Sequence, residues 1–118
     1  MKKILIIEDI EDNRDLLIQL LEDDYELLEA EEAITGISIS QRQQPDLILM
    51  DISLPRMDGL QATQILKNNA LTKHIPIIAV TGNAMVGDRE KALSAGCDEY
   101  VTKPIDISTI FDVIERFI

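Results

Sequence analysis

Short apolar runs alternate along the chain with longer segments in which apolar residues recur at every third or fourth position. The short runs predict strands, and the periodic segments predict helices. Strands are predicted over residues 4–7, 25–30, 47–50, 75–80 and 99–102, and helices over residues 12–23, 32–43, 59–69, 84–95 and 106–117. The pattern therefore predicts five successive strand–helix units.

Five such units predict an α/β fold in which a parallel sheet carries helices on both of its faces. Three of the runs, 4–7, 47–50 and 77–80, are apolar throughout, as central strands covered on both sides must be. The run at 25–30 carries two glutamates, which indicates a strand near an edge of the sheet. A length of 118 residues favours a single domain.

Residues with chemical capability stand at or just after the ends of four predicted strands. They are Glu8, Asp9, Asp51, Thr81 and Lys103. Each has an ordinary explanation by itself, since an acidic pair often begins a helix and a threonine or lysine is common in a loop. In open α/β sheets, however, ligands bind outside the carboxyl ends of the strands. The joint placement therefore predicts that these side chains meet at one edge of the sheet.

A cluster of three carboxylates needs a positive charge to be stable. Two carboxylates about 4 Å apart repel each other by roughly 4 kcal/mol at an effective dielectric constant near 20. Mg²⁺ prefers a few carboxylates together with water and phosphate oxygens. A carboxylate can also act as a nucleophile in phosphoryl transfer, with a metal and a lysine offsetting the charge of the transferred group. The sequence thus predicts a metal-assisted phosphoryl-acceptor site at Asp51.

Composition narrows the function further. The net charge is −11, from 22 acidic and 11 basic side chains, and such a surface repels nucleic acid and anionic membranes. The single cysteine, Cys97, excludes an internal disulfide and is interpreted as a small packing residue. No apolar stretch approaches the roughly 20 residues of a membrane span, and a cytoplasmic protein is expected.

These residues give the chain a resemblance to the receiver domains of bacterial two-component response regulators, which share the fold of the chemotaxis regulators. The resemblance covers the whole chain, so residues 1–118 are expected to be one stand-alone receiver domain. It rests on Glu8-Asp9, Asp51, Pro55-x-Met57-Asp58-Gly59, Thr81, Ala95-Gly96, Tyr100 and Lys103-Pro104. The resemblance implies a doubly wound (βα)5, flavodoxin-like sandwich whose five parallel strands have the order 2-1-3-4-5.

The resemblance also implies a role for each site residue. Asp51 is expected to accept a phosphoryl group from a histidine of a partner kinase or phosphotransfer protein. Asp9, Asp51 and the backbone carbonyl of Ser53 are expected to bind Mg²⁺, with Mn²⁺ as a substitute, while Glu8 acts largely through water. Lys103 is expected to pair with the phosphoryl group.

A switch is implied as well. Thr81 is expected to bond to the phosphoryl group, and Tyr100 to move from an exposed to a more buried rotamer. The face formed by residues 84–117 is expected to bind an effector protein more tightly after phosphorylation. The peptide bond before Pro104 is expected to be cis. Ser53 and Asn83 occupy positions that tune the phosphoryl lifetime in the family.

Two positions depart from the usual family pattern. Glu8 stands where an aspartate is frequent, and Gly82 where an alanine is frequent. Glu8 leaves the metal geometry less defined, and Gly82 favours a looser switch loop.

Other functions fit the residues less well. Aspartate-dependent phosphatases place a second acid two residues after the nucleophile, where this chain has Ser53. A nucleotide site would need a glycine-rich loop after the first strand, and a flavin site faces the same objection. A receiver used only as a scaffold would not need Asp51, Thr81 and Lys103. The chain is therefore expected to catalyse only its own phosphorylation and dephosphorylation, as a monomer or weak dimer that does not bind nucleic acid.

Overall fold

The computed structural model describes residues 1–82 and 87–118. The elements alternate along the chain as predicted. They are β1 (Lys3–Ile7), α1 (Glu11–Leu21), β2 (Glu26–Ala30), α2 (Ala33–Gln43), β3 (Leu47–Asp51), α3 (Gly59–Lys67), β4 (Ile77–Thr81), α4 (Asp88–Ala95), β5 (Glu99–Thr102) and α5 (Ile107–Phe117). All the strand pairs are parallel, and the order β2-β1-β3-β4-β5 confirms the implied topology.

The sheet separates two hydrophobic cores because successive side chains of a strand point to opposite faces. Leu5, Ile48 and Ile77 lie in the core that also receives side chains of α2, α3 and α4. Ile4 and Leu49 lie in the core covered by α1 and α5. The apolar runs are therefore continuous because both of their faces are buried.

β2 lies at an edge of the sheet and is only partly buried, which confirms the prediction drawn from its glutamates. Cys97 is buried in the core, and its Sγ lies 3.6 Å from Oγ1 of Thr63. This position agrees with a packing role. In the described part of the chain, no helix combines the length and the apolar character needed to cross a membrane.

Element ends differ from the predicted ones for local reasons. β4 begins at Ile77 rather than at residue 75, because Pro76 has no amide hydrogen and the Ile75 amide bonds to the Thr72 carbonyl. α3 ends at Lys67 rather than at residue 69, because Asn68 forms its C-terminal cap. Residues 84–86 of the fourth predicted helix, and Asn83, lie outside the described residues.

Candidate functional site

β1, β3 and β4 are the three central strands, and their carboxyl ends lie next to one another at the same end of the sheet. Ile7 pairs with Met50 across β1 and β3, so the next residues, Glu8 and Asp51, lie side by side at the ends of these strands. Lys103 follows β5, and its amide bonds to the Thr81 carbonyl at 2.7 Å. The topology therefore brings together residues that are far apart in the sequence.

Asp51 is the last residue of β3, and its position is tightly fixed. Only 3% of its surface is exposed, and the Ser53 amide donates a hydrogen bond to its Oδ1 at 3.1 Å. Gly59, the first residue of α3, lies against the backbone of Asp51, where any β-carbon would overlap the Asp51 carbonyl oxygen. Glycine is thus required for this close approach between helix and strand.

A capping box defines where α3 begins. The Asp58 side chain accepts a hydrogen bond from the Gln61 amide at 2.9 Å, and the Gln61 side chain accepts one from the Asp58 amide at 3.1 Å. This reciprocal arrangement satisfies two amides at the helix start. It fixes the end of the loop that leads from Asp51 into α3.

Three carboxylates converge beside this loop. Oxygen atoms of Glu8, Asp9 and Asp51 all lie within 4.8 Å of one another. Glu8 is only 2% exposed, whereas Asp9 is accessible to solvent. Hard oxygen donors at this spacing, with one side open to water, suit Mg²⁺. The donor set therefore fits the metal that the sequence predicts.

Lys103 supplies the positive charge of the site. Its Nζ lies 2.8 Å from a carboxylate oxygen of Glu8 and 3.8 Å from Oδ1 of Asp51. Glu8 thus contacts Lys103 directly in this structure, in addition to belonging to the cluster of three carboxylates. The Lys103–Pro104 peptide bond is cis, as the resemblance implies.

The charges of the site are not balanced. Burial raises the pKa of Asp51 to about 7, and a hydrogen bond with the Glu8 carboxyl group contributes to the rise. Burial also acts to raise the pKa of Glu8, but hydrogen bonds with Lys103, with Asp51 and with the Ile10 amide lower it overall. Without a metal, Glu8 therefore holds its negative charge, and Asp51 keeps part of its population protonated up to about pH 7.

The two predicted switch residues occupy the same side of the sheet. Thr81 ends β4 and is buried. Tyr100 on β5 is half-buried, and its hydroxyl oxygen is enclosed without a hydrogen-bond partner within the described residues. A cavity of about 250 Å³ is lined by both residues and by Ser53. The Tyr100 hydroxyl group is thus already enclosed rather than exposed to solvent.

Arg14 of α1 is a residue of this region that the sequence analysis does not identify. It is buried, and its guanidinium group donates to the Glu8 backbone carbonyl at 2.9 Å. A signal for it exists in the sequence, because Arg14 lies on the same helical stripe as the buried Leu17 and Leu21. A basic residue on an apolar stripe indicates a specific buried partner.

Comparisons with known proteins agree with this geometry. The family model described as the response regulator receiver domain matches residues 4–115. The polar-differentiation response regulator DivK of Brucella ovis is 38% identical over 118 aligned residues, covering 99% of this chain and 96% of that protein.

Solved structures are similar over nearly the whole chain. The receiver domain of a sensor histidine kinase from Pseudomonas aeruginosa, solved with a magnesium ion coordinated in its active-site cleft, is 33% identical with a TM-score of 0.91. The match covers 98% of this chain and 96% of that domain. A chemotaxis protein of Vibrio cholerae is 22% identical with a TM-score of 0.93, covering 100% of this chain and 99% of that one, which shows the shared fold alone.

Proposed function

The chain belongs to the response regulator receiver domain family of two-component systems, and we propose that Asp51 is its phosphoryl acceptor. Members of the family are signalling proteins rather than conventional enzymes, and phosphorylation of an aspartate is their general mechanism. One observation carries the proposal: Asp51, two further carboxylates and Lys103 converge from three separate strand ends. We assign residues 1–118 to one receiver domain.

The donor is the phosphohistidine of a histidine kinase or of a histidine phosphotransfer protein. A carboxylate oxygen of Asp51 attacks phosphorus, and a P–O bond forms as the P–N bond to histidine breaks. The histidine nitrogen keeps the electron pair of that bond and takes up a proton. Because only the ionised carboxylate is a nucleophile, the raised pKa of Asp51 must be countered for rapid reaction.

Glu8, Asp9, Asp51 and the backbone carbonyl of Ser53 would hold Mg²⁺ in this proposal, and Mn²⁺ would be able to take its place. Bound there, the metal would offset the charge of the carboxylates and of the transferred group. The spacing of the three carboxylates and the accessible position of Asp9 support this assignment.

Lys103 pairs with the phosphoryl group after transfer. Its ammonium group is already 3.8 Å from the acceptor carboxylate, and a small movement away from Glu8 allows the contact. The same residues allow the domain to promote its own phosphorylation and later hydrolysis.

Thr81 and Tyr100 transmit the change to the surface formed by residues 84–117. Thr81 donates a hydrogen bond to the phosphoryl group, and the phenol ring of Tyr100 takes a more deeply buried position. One hydrogen bond contributes only about 1 kcal/mol, so contacts of the metal and Lys103 must add to the shift. An effector protein then binds this surface more tightly, with the domain acting in the cytoplasm as a monomer or weak dimer.

The test is incubation with a small acyl-phosphate donor and Mg²⁺, followed by intact mass measurement. We expect one added phosphoryl group in the wild-type chain, none in Asp51→Asn and none in the presence of a chelator. Asp58→Asn is the matched control, because asparagine also caps helices well and this variant should be phosphorylated normally.

A phosphohistidine protein should be used as a second donor, since small donors differ in reactivity. If the wild-type chain accepts no phosphoryl group from either donor, the proposal is wrong. Phosphorylation of Asp51→Asn to the wild-type extent would likewise exclude Asp51 as the acceptor.

A further inference from the structure

Arg14 is a buried cation with three acceptors around it. Its Nη1 donates to the Glu8 carbonyl at 2.9 Å, its Nε contacts Glu29 at 3.2 Å, and its Nη2 contacts Glu31 at 3.3 Å. Glu29 belongs to β2 and Glu31 follows it, so the guanidinium group joins α1 to the end of β2 and to the loop after β1. Arginine suits this role because its planar group offers donors in fixed directions.

Glu8 makes a hydrogen bond with each of its polar groups: the amide, the carboxylate and the backbone carbonyl. Its amide donates to the Ala30 carbonyl at 3.0 Å, and its carboxylate accepts from the Ile10 amide and from Lys103. Arg14 holds the remaining group, the backbone carbonyl. This carbonyl shares a rigid peptide plane with the amide of Asp9. The orientation of that plane sets the direction in which the Asp9 side chain leaves the backbone.

We propose that Arg14 is a positioning residue for the metal ligands Glu8 and Asp9, a role that rests on the proposed function of the site. Arg14 does not touch the metal itself. It orients the peptide that joins two of the three carboxylates, and Glu29 and Glu31 hold its side chain in place. Groups that orient metal ligands commonly change metal affinity by about 10–100-fold when they are removed.

Simple electrostatics leads to the opposite expectation. Arg14 is a cation near a cation site, so its removal alone would strengthen Mg²⁺ binding by reducing repulsion. Loss of positioning would instead weaken binding. The sign of the change in Mg²⁺ affinity therefore separates the two explanations.

The experiment compares Arg14→Met and Arg14→Lys with the wild-type chain by calorimetric titration of Mg²⁺ at constant pH and ionic strength. We expect the dissociation constant to rise about 10-fold or more in Arg14→Met. Arg14→Lys keeps the charge but not the planar group, and we expect a rise of about threefold. The Mg²⁺ concentration for half-maximal phosphorylation by an acyl-phosphate donor should rise in parallel, whereas the rate at saturating Mg²⁺ should change less than about twofold.

Lys67→Met is the matched control. Lys67 is another mostly buried cation, and it donates to the Ile75 carbonyl at 2.8 Å and to Asp98 at 2.9 Å, before the start of β4 and of β5. We expect its loss to leave the Mg²⁺ dissociation constant within about twofold of the wild-type value. Circular dichroism establishes that each variant is folded, and Arg14→Lys decides the question if Arg14→Met does not fold.

Unchanged or tighter Mg²⁺ binding in both Arg14 variants would overturn the positioning role while leaving the proposed function intact. A lower saturating rate with an unchanged half-maximal Mg²⁺ concentration would also overturn it. Failure of the wild-type chain itself to bind Mg²⁺ would instead remove the metal site, and the role of Arg14 with it.

Discussion

Each end of the sheet contains a lysine in close contact with a carboxylate, but the two pairs differ in what surrounds them. At the amino end, Lys67 lies 2.9 Å from Asp98, and the same Asp98 oxygen accepts the Ile77 amide at 2.8 Å. At the carboxyl end, Lys103 lies 2.8 Å from Glu8 and 3.8 Å from Asp51, with Asp9 nearby.

The Lys67 pair is balanced, with one lysine for one acid, whereas the Lys103 cluster joins one lysine to three acids among the described residues. Polar groups that are fully paired favour one fixed arrangement of the chain. Burial and the neighbouring Glu8 carboxyl group raise the pKa of Asp51. A cluster with more acids than bases also favours the binding of a cation. If the proposed function is correct, the Lys67–Asp98 pair and the Lys103 cluster differ in role because of their charge balance and not because of the distances within them.

The strongest test of the comparison replaces each lysine in turn. We expect Lys103→Met to lower the rate of Asp51 phosphorylation by about 100-fold, as the loss of a group that stabilises developing charge typically does. Lys67→Met should leave this rate within about twofold and instead lower the free energy of unfolding by about 1–2 kcal/mol. Initial rates with an acyl-phosphate donor and urea unfolding measure the two effects. Equal loss of rate in both variants would contradict the distinction.

The raised pKa of Asp51 makes the stability of the metal-free protein depend on pH. In the unfolded chain Asp51 ionises near its ordinary value of 3.8, whereas in the metal-free fold it ionises near pH 7. Between these values the folded protein holds a proton that the unfolded chain has released, so stability falls as the pH rises. Asp51→Asn removes this loss of stability, because asparagine has no carboxyl group to ionise.

In a chelating buffer at pH 8, we expect Asp51→Asn to be more stable than the wild-type chain by up to about 4 kcal/mol, since the shift covers about three pKa units. The melting temperature should rise by up to about 15 °C. At pH 4 the difference should nearly vanish, and thermal unfolding at both pH values measures it. A difference that does not change with pH would show that Asp51 ionises normally in the fold. Asp58→Asn serves as the control.

A smaller effect is expected from shortening Glu8, which competes with Asp51 for contact with Lys103. Glu8→Asp withdraws the carboxylate from Lys103, which leaves the ammonium group freer to approach Asp51. We expect the phosphorylation rate at saturating Mg²⁺ to rise about threefold, equivalent to less than about 1 kcal/mol of barrier. Glu8→Gln keeps the length but removes the charge, and it should weaken Mg²⁺ binding. A slower rate in Glu8→Asp would mean that the Lys103–Glu8 contact assists the reaction.

The smallest effect concerns Tyr100, whose enclosed hydroxyl group finds no partner in the described part of the chain. Removing an unpaired buried polar group avoids its desolvation cost. We expect Tyr100→Phe to raise the free energy of unfolding by about 0.5–1 kcal/mol. Urea unfolding at neutral pH measures the change, and destabilisation by a similar amount would indicate that the hydroxyl group is bonded.

Within the described residues, the apolar pattern predicts the strands and helices to within a few residues, because continuous apolar runs and helical stripes follow directly from burial on one or two faces. The meeting of Asp51 with Glu8 and Lys103 was also predictable, since parallel strands present their carboxyl ends at one edge. The order of the strands came from the resemblance to a family rather than from the pattern.

Other features depend on ångström-scale geometry that the sequence does not express. The preference of Lys103 for Glu8 over Asp51 reflects the length of one side chain. The contact of Arg14 with the Glu8 carbonyl depends on the path of α1 over the sheet. The close approach of Gly59 to Asp51 depends on the angle at which α3 leaves its loop.

The pairing of Ile7 with Met50 has a consequence for how robust the site is. Adjacent strands lie about 4.8 Å apart wherever their backbones are hydrogen-bonded. The separation of Glu8 and Asp51, which follow the paired residues, is therefore set by the backbone. Exchanges among interior aliphatic residues can alter the stability of the protein and still preserve this spacing. A single-residue deletion within either strand would instead shift one acid out of alignment with the other, because it moves every following side chain of that strand to the opposite face.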